Sequence, residues 1–250
     1  MYDEVVSRWR GFLRSLVVYH HPWIHRAWRL FYRDVLSPGD IVFDIGAHVG
    51  NRARAMRSAG ATVIAVEPQA LFAKFLRLAL PRDIVVRDVA VGSVEAEAEM
   101  AVSSKHPTLS SLRSDFVTGA AHAPGFEHVS WDSHLRVQVV TLDRLIREHG
   151  QPSYVKIDVE GFELEVLSGL SHPVQMVSVE YLPGFPHLTH AVLDRLAELG
   201  DYEFNPVVGE KARFLWPEWR DSNEVRKWLG TLSAQASSGD LFARLSPHKL

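Results

Sequence analysis

Short apolar runs alternate with amphipathic stretches along most of the chain. Ile41 to Ile45, Ala61 to Val66 and Ile84 to Arg87 are brief and rich in β-branched residues. Arg52 to Ala59 and Gln69 to Leu80 lie between them with helical composition and spacing. This pattern predicts buried parallel strands joined by crossover helices. The alternation resumes with a strand over Val137 to Val140 and a helix from Thr141 through His149. A strand from Tyr154 turns into an amphipathic helix carrying Glu163, Val166, Leu167 and Leu170. Gln175 to Tyr181 predicts a fifth strand and Leu188 to Leu199 a helix. Tyr202 to Phe204 and Leu241 to Leu245 read as two last strands flanking a helix around Asn223 to Ala234. Two late strands so joined are what a seven-stranded, mostly parallel sheet with one reversed strand needs, so the fold class is α/β.

Three stretches depart from the alternation. Residues 1–38 predict an N-terminal helical extension, ahead of a main domain over 39–250. In it Val5, Trp9, Phe12, Leu13 and Leu16 follow helical spacing, and a second helix follows His21-Pro22. Its interleaved arginines and aromatics suit a helical layer packed on the sheet, or a lid or docking surface for a substrate. Glu95 to Val102 alternates small and acidic residues, which predicts a short exposed hairpin. Residues 103–135 are rich in Ser, His, Pro and Gly and read as a long irregular insertion. Hydroxyls in its Thr108 to Leu112 piece suit ligand contact or simple turns. His106, His122, His128 and His134 lack metal-ligand spacing, so no metal site is expected there.

Composition narrows the class. At 250 residues, with 46% hydrophobic and 23% charged residues, the chain is an ordinary globular size and make-up. A net charge of −3 gives no argument for bulk nucleic-acid binding. The absence of cysteine excludes disulfides, thiolate zinc sites and a cysteine nucleophile. No apolar run is long enough to span a bilayer, and Arg8, Arg10 and Arg14 break any secretory pattern. A soluble cytoplasmic protein is the expectation.

The chemistry concentrates where strands end. Asp44-Ile45-Gly46-Ala47-His48-Val49-Gly50-Asn51 follows the first strand as an Asp-x-Gly-x-x-x-Gly loop before a helix N-terminus. Gly46 and Gly50 permit positive φ and close backbone approach. A dinucleotide fingerprint would place glycine where His48 stands. An acid in the loop is ill placed beside a pyrophosphate and well placed beside a sulfonium or ammonium, which favours S-adenosylmethionine. Glu67, followed by Pro68, lies 23 residues after Asp44, near the spacing at which a second-strand acid holds ribose hydroxyls. Asp88 ends the third strand and could reach the adenine amino group, or form a turn. Lys156, Asp158 and Glu160 alternate on one face of an extended segment, beside the first strand. Three charges there pair structurally or serve the chemistry. A hydroxyl acceptor needs a base, for which Asp158, Glu160 and His48 are candidates. A divalent ion bridged by Asp158, Glu160 or Glu180 is the other route, open but not expected. A nicotinamide oxidoreductase and a non-catalytic nucleoside-binding protein are the competing readings.

In order, Val42–Gly50, Val66-Glu67-Pro68, Val89–Gly92, Thr141-Leu142-Asp143 and Lys156–Glu163 resemble the FkbM-type S-adenosylmethionine-dependent methyltransferases. Gly239–Arg244 is similar to that family's closing strand. The resemblance spans about residues 40–245, and its Lys-Ile-Asp-Val-Glu-Gly block is the most specific part. It implies a Rossmann-like class I methyltransferase fold, helices on both sheet faces, and methyl transfer to a hydroxyl of a small-molecule, saccharide or polyketide-like acceptor. It implies that Asp44, Gly46 and Gly50 meet the cofactor's methionyl part, Glu67 its ribose, and Asp88 with Val89 its adenine. Ala47, His48, Asn51, Pro68 and Asp158 are further expected cofactor contacts. Asp158 would face the reacting centre, with Lys156 and Glu160 beside it. His48 stands where many relatives have asparagine.

Overall fold

The structure, a computed structural model, describes residues 22–103 and 133–246. It begins with helix α1 (Pro22–Val35), followed by β1 (Ile41–Ile45), α2 (Asn51–Ser58), β2 (Thr62–Val66), α3 (Ala70–Ala79) and β3 (Val85–Arg87). After β4 (Ala90–Val91), β5 (Ala96–Val102) and β6 (Ser133–Val140) come α4 (Leu142–His149), β7 (Tyr154–Ile157), α5 (Glu163–Ser168) and β8 (Met176–Tyr181). The chain closes with α6 (Pro186–Leu199), β9 (Tyr202–Val208), α7 (Ser222–Leu229) and β10 (Gly239–Leu245).

Seven strands form the main sheet in the order β3-β2-β1-β7-β8-β10-β9. The first five are mutually parallel, and β10 runs antiparallel to both its neighbours. Side-chain alternation along each strand builds two cores. Phe43, Ile45, Val155 and Ile157 pack on one face with Leu142, Val166 and Leu193. Val42, Tyr154 and Phe242 pack on the other with Trp28, Tyr32, Met56 and Leu76. Central strands therefore carry apolar residues at most positions, Asp44, Lys156, Ser178 and Glu180 excepted, the signal that marked them in the sequence. Pro206, which lacks a backbone donor, is tolerated because β9 is the sheet edge.

Several boundaries differ from expectation. The exposed hairpin does not exist. Instead β5 is a single strand that pairs antiparallel with β6, across the intervening segment, in a small sheet ordered β4-β6-β5. Met100, Val102, Val137 and Val139 bury one another there, so the alternation reflects one covered face. Strand β6 starts at Ser133, so residues expected in the insertion, His134 included, belong to the sheet. Helix α5 stops at Ser168 before Gly169, and α7 stops at Leu229 before Gly230. Thr108 to Leu112, read as ligand contact or turns, and His106, His122 and His128, where no metal site is expected, lie outside the described residues, as do Trp9, Phe12 and Leu16. Helix α1 is a packed layer: Trp28, Phe31 and Tyr32 are buried in the second core. Among the described residues no helix is long and apolar enough to cross a membrane.

Candidate active site

Strand β1 sits between β2 and β7. The chain winds from β1 out to β3, then returns to β7 on the opposite side, which makes the β1/β7 gap the switch point of the sheet. Ligand crevices open at the carboxyl ends of strands at such points. A cavity of about 230 Å³ lies there, lined by the loop after β1, the end of β2, the turn after β7 and side chains from β8.

The loop is shaped by the backbone around it. Gly46 has φ 83°, and a Cβ there would lie 1.9 Å from the Asp158 carbonyl oxygen. The close approach inferred from the glycine is thus first an approach to the turn after β7. The Gly46 and Ala47 N–H groups both donate to Val66 O at 3.0 Å. His48 adopts the left-handed region with φ 48°, as a glycine there would. Its N–H donates to Glu67 Oε2 at 3.0 Å and its ring packs on Phe72 at 4.5 Å between centroids. Asn51 lines the cavity, and its Oδ1 accepts from Arg52 N. Gly50 is not in the wall; its missing side chain makes room for Leu76 and Leu80.

Two acids form the floor. Asp44 is 1% exposed, and neither carboxylate oxygen makes a full hydrogen bond. Burial pushes its pKa up, against the charge of Lys156, whose Nζ is 3.9 Å away, and a weak contact from the Ala53 N–H. A buried carboxylate so poorly matched is costly unless something cationic arrives. Glu67 is also buried, but it accepts from His48 N and from Gln69 N at 2.9 Å, one bond per oxygen. Burial still raises its pKa to about 7.

The charged triplet after β7 is assembled differently from the extended segment expected. Lys156 is the last charged residue of the strand, Asp158 follows its end, and Glu160 sits in a turn with φ 54°. The turn is held by Glu163, whose Oε1 accepts from Val159 N at 3.2 Å and Gly161 N at 3.1 Å. All three residues nonetheless line the cavity. Lys156 Nζ donates to Asp158 Oδ2 at 2.8 Å. Burial opposes both charges, but the pairing wins: Lys156 is raised and Asp158 lowered from their ordinary values. Glu160 and Glu180 go the other way. Burial, and then the acids around each, push both well above the carboxylate range. Carboxyl oxygens of Asp158, Glu160 and Glu180 lie within 4.8 Å of one another, a spacing that would also admit a divalent cation.

Of the remaining expected residues, Pro68 and Val89 line the cavity and Asp88 does not. Asp88 ion-pairs with Arg77 at 2.7 Å. Sequence reading passed over Gln69, Met100 and Phe162, and also Arg52, Glu210 and Ser238, which all line the wall. Arg52 carried a signal of a kind, a lone charge on the buried face of α2, whereas Glu210 and Ser238 sit in late turns with none.

Sheet order, reversed strand and an acid-lined cavity at the switch point define a Rossmann-like α/β protein. The family model of the methyltransferase FkbM domain matches residues 44–233, and the chain belongs to this family of methyltransferases. A curated relative, hexuronic acid methyltransferase AglP of Haloferax volcanii, is 31% identical over 141 residues, 56% of this chain. The chain matches about half of that relative's length, 53%. Among solved structures, magnesium protoporphyrin IX methyltransferase of Synechocystis, with bound SAM, aligns with TM-score 0.47 at 13% identity, over 96% of this chain and 90% of that one. A TehB-like SAM-dependent methyltransferase of Corynebacterium glutamicum aligns with TM-score 0.48 at 8% identity, over 98% and 97%.

Proposed function

We propose that this protein transfers a methyl group from S-adenosylmethionine to a hydroxyl of a saccharide or similar polyhydroxylated small molecule. The observation that carries the cofactor reading is Asp44, a carboxylate buried at the cavity floor without a full hydrogen bond. Among the described residues the wall carries six carboxyl groups, Asp44, Glu67, Asp158, Glu160, Glu180 and Glu210, and two cations, Lys156 and Arg52. That surplus opposes a pyrophosphate and suits a ligand bearing a sulfonium and an ammonium. Asp44 with the Gly46–His48 loop would hold the methionyl end. Glu67, its oxygens oriented by two backbone donors, would accept from the ribose hydroxyls. Val89, rather than Asp88, would border the adenine.

S-adenosylmethionine supplies an electrophilic methyl group and a neutral thioether leaving group. The chain's share is to align the hydroxyl, exclude water and take the hydroxyl proton, and orientation alone can supply about 7–11 kcal/mol of such a barrier. A base must be able to hold a proton near working pH. Asp158, held low by Lys156, is poorly suited. Glu160 and Glu180, pushed well above the carboxylate range by burial and by the acids around each, hold a proton more readily and are better suited.

The test begins with the purified chain and S-adenosylhomocysteine, which should bind by calorimetry and raise the melting temperature while NAD does neither. Labelled S-adenosylmethionine is then offered with methyl β-D-glucoside and methyl β-D-glucuronide, the second chosen because the curated relative is named for a hexuronic acid. NAD binding without S-adenosylhomocysteine binding would refute the cofactor. Cofactor binding with no label in either sugar would refute the acceptor class.

A further inference from the structure

The cavity has two ends, and the sheet order tells them apart. Glu67 and Val89 stand at the β2 and β3 side, whereas Glu210 and Ser238 stand at the β9 and β10 side. Asp158, Glu160 and Glu180 lie between them. With the nucleoside at the first end, the acceptor is left with the second.

Glu210 is the residue at that second end with an anchored carboxylate. It follows β9 directly after Gly209, and its side chain is 41% exposed. Its Oε2 accepts from Trp28 Nε1 at 2.6 Å and pairs with Arg52 Nη2 at 3.2 Å. Arg52 Nη2 also donates to Asp240 Oδ2 at 3.1 Å. The Arg52 guanidinium lies 3.0 Å over the Trp28 ring centroid. Trp28 is 1% and Arg52 7% exposed, so a half-exposed carboxylate is fixed from beneath by two buried groups. Both of these bonds fall on Oε2, leaving Oε1 for a ligand. Trp28 belongs to α1, which precedes the family match at residue 44.

We infer that Glu210 is an acceptor-binding residue that takes a hydrogen bond from a sugar hydroxyl next to the one methylated, and that Trp28 is the positioning residue that fixes it. This rests on the saccharide reading above. A carboxylate in an acid-rich wall disfavours anionic groups and accepts well from neutral hydroxyls. The carboxylate would choose which ring orientation presents its hydroxyl to the Glu160–Glu180 pair. The helix outside the family match would thereby take part in acceptor choice.

The experiment compares wild type, Glu210→Ala and Trp28→Phe with the two pyranosides. The readouts are KM and kcat for the sugar that wild type methylates, S-adenosylhomocysteine affinity, and melting temperature. Trp28→Phe keeps a buried ring and removes the N–H. The expected result is a KM about ten-fold higher in both variants, the loss of one hydrogen bond to a charged group, with kcat and S-adenosylhomocysteine affinity near wild type. An unchanged KM in Glu210→Ala, or cofactor affinity falling as far as acceptor affinity, would overturn the inference while leaving methyl transfer intact. If Trp28→Phe does not fold, Glu210→Ala decides the matter, since its exposed side chain can be removed without opening the core. A raised KM in Glu210→Ala with an unchanged KM in a folded Trp28→Phe would remove Trp28. Wild-type protein that binds S-adenosylhomocysteine yet labels neither sugar would sink the acceptor reading and this inference together.

Discussion

Asp158 and Glu180 should separate under mutation, because one is an ion-pair partner and the other the proposed proton acceptor. In Asp158→Asn the amide oxygen can still accept from Lys156 Nζ, now 2.8 Å from Oδ2, but the charge is gone. Lys156, 2% exposed, would keep only Asp44 at 3.9 Å. Breaking a fully buried pair costs about 3–5 kcal/mol. The Asp158 side chain is 38% exposed, so solvent screens part of that, and about 1–2 kcal/mol is the reasonable share. Turnover should fall less than about ten-fold at saturating substrates, since nothing has been taken from the proton acceptor. Glu180→Gln should do the opposite. It removes an acid from a crowd of acids, so melting temperature should hold or rise, while turnover drops by about 10²–10⁴-fold, the range for a lost general base. The wild-type rate should climb with pH as Glu180, held above the carboxylate range, loses its proton, and Glu180→Gln should flatten that limb. The assay is single-turnover methyl transfer with saturating cofactor, read beside a thermal melt on the same preparation. Asp158→Asn with an unchanged melt and a hundred-fold slower reaction would refute the reasoning and make Asp158 the base.

Three other outcomes follow from the same geometry. Gly46→Ala places a Cβ 1.9 Å from Asp158 O at φ 83°, so it should lower the melting temperature markedly and abolish S-adenosylhomocysteine binding; a variant with normal calorimetry would show the loop to be pliant. Glu67 has a pKa of about 7, raised by burial, and a proton there blocks one acceptor site, so S-adenosylhomocysteine affinity should weaken about ten-fold per pH unit below 7. Glu67→Gln should remove most of that pH dependence, and a flat profile in wild type would dismiss Glu67 as the ribose acceptor. Glu67 and Glu163 both have raised values near 7, so the stabilisation they favour is present below the ordinary carboxylate range and is lost as pH rises through about 7. Without ligand the melting temperature should therefore fall between pH 5 and about 7.5, and a double Gln variant should fall less.

What could be read from the sequence was whatever repeats locally. Strands β1, β2, β7 and β8 announced themselves because a central parallel strand is covered on both faces, so every residue from Val42 to Ile45 except Asp44 is apolar. Glycine 46 was legible as a close approach, though its partner, the Asp158 carbonyl, was not. Pairings across long separations left no local trace. Strand β5 looked like its own hairpin because its partner lies across a long intervening segment. Asp88 looked like an adenine contact because its exposed ion pair with Arg77 depends on the rotation of α3.

The charges show why such failures fall where they do. Alternation correctly brought Lys156, Asp158 and Glu160 to one place, yet for the wrong reason. The strand ends before Asp158, and a Glu163-held turn delivers Glu160 with a positive φ. A positive φ away from glycine costs about 1–2 kcal/mol, and the residue's own type does not offset it. What compensates is the carboxylate of Glu163 on two backbone N–H groups. The same holds at His48, whose left-handed backbone is tied to Glu67, 19 residues on. At both places local preference and final conformation disagree, and each lies on the cavity wall or directly behind it. Ala212 takes the same conformation, φ 47°, outside the cavity wall, so a left-handed backbone does not by itself mark the site; what sets His48 and Glu160 apart is that each is held by a carboxylate in the wall or directly behind it.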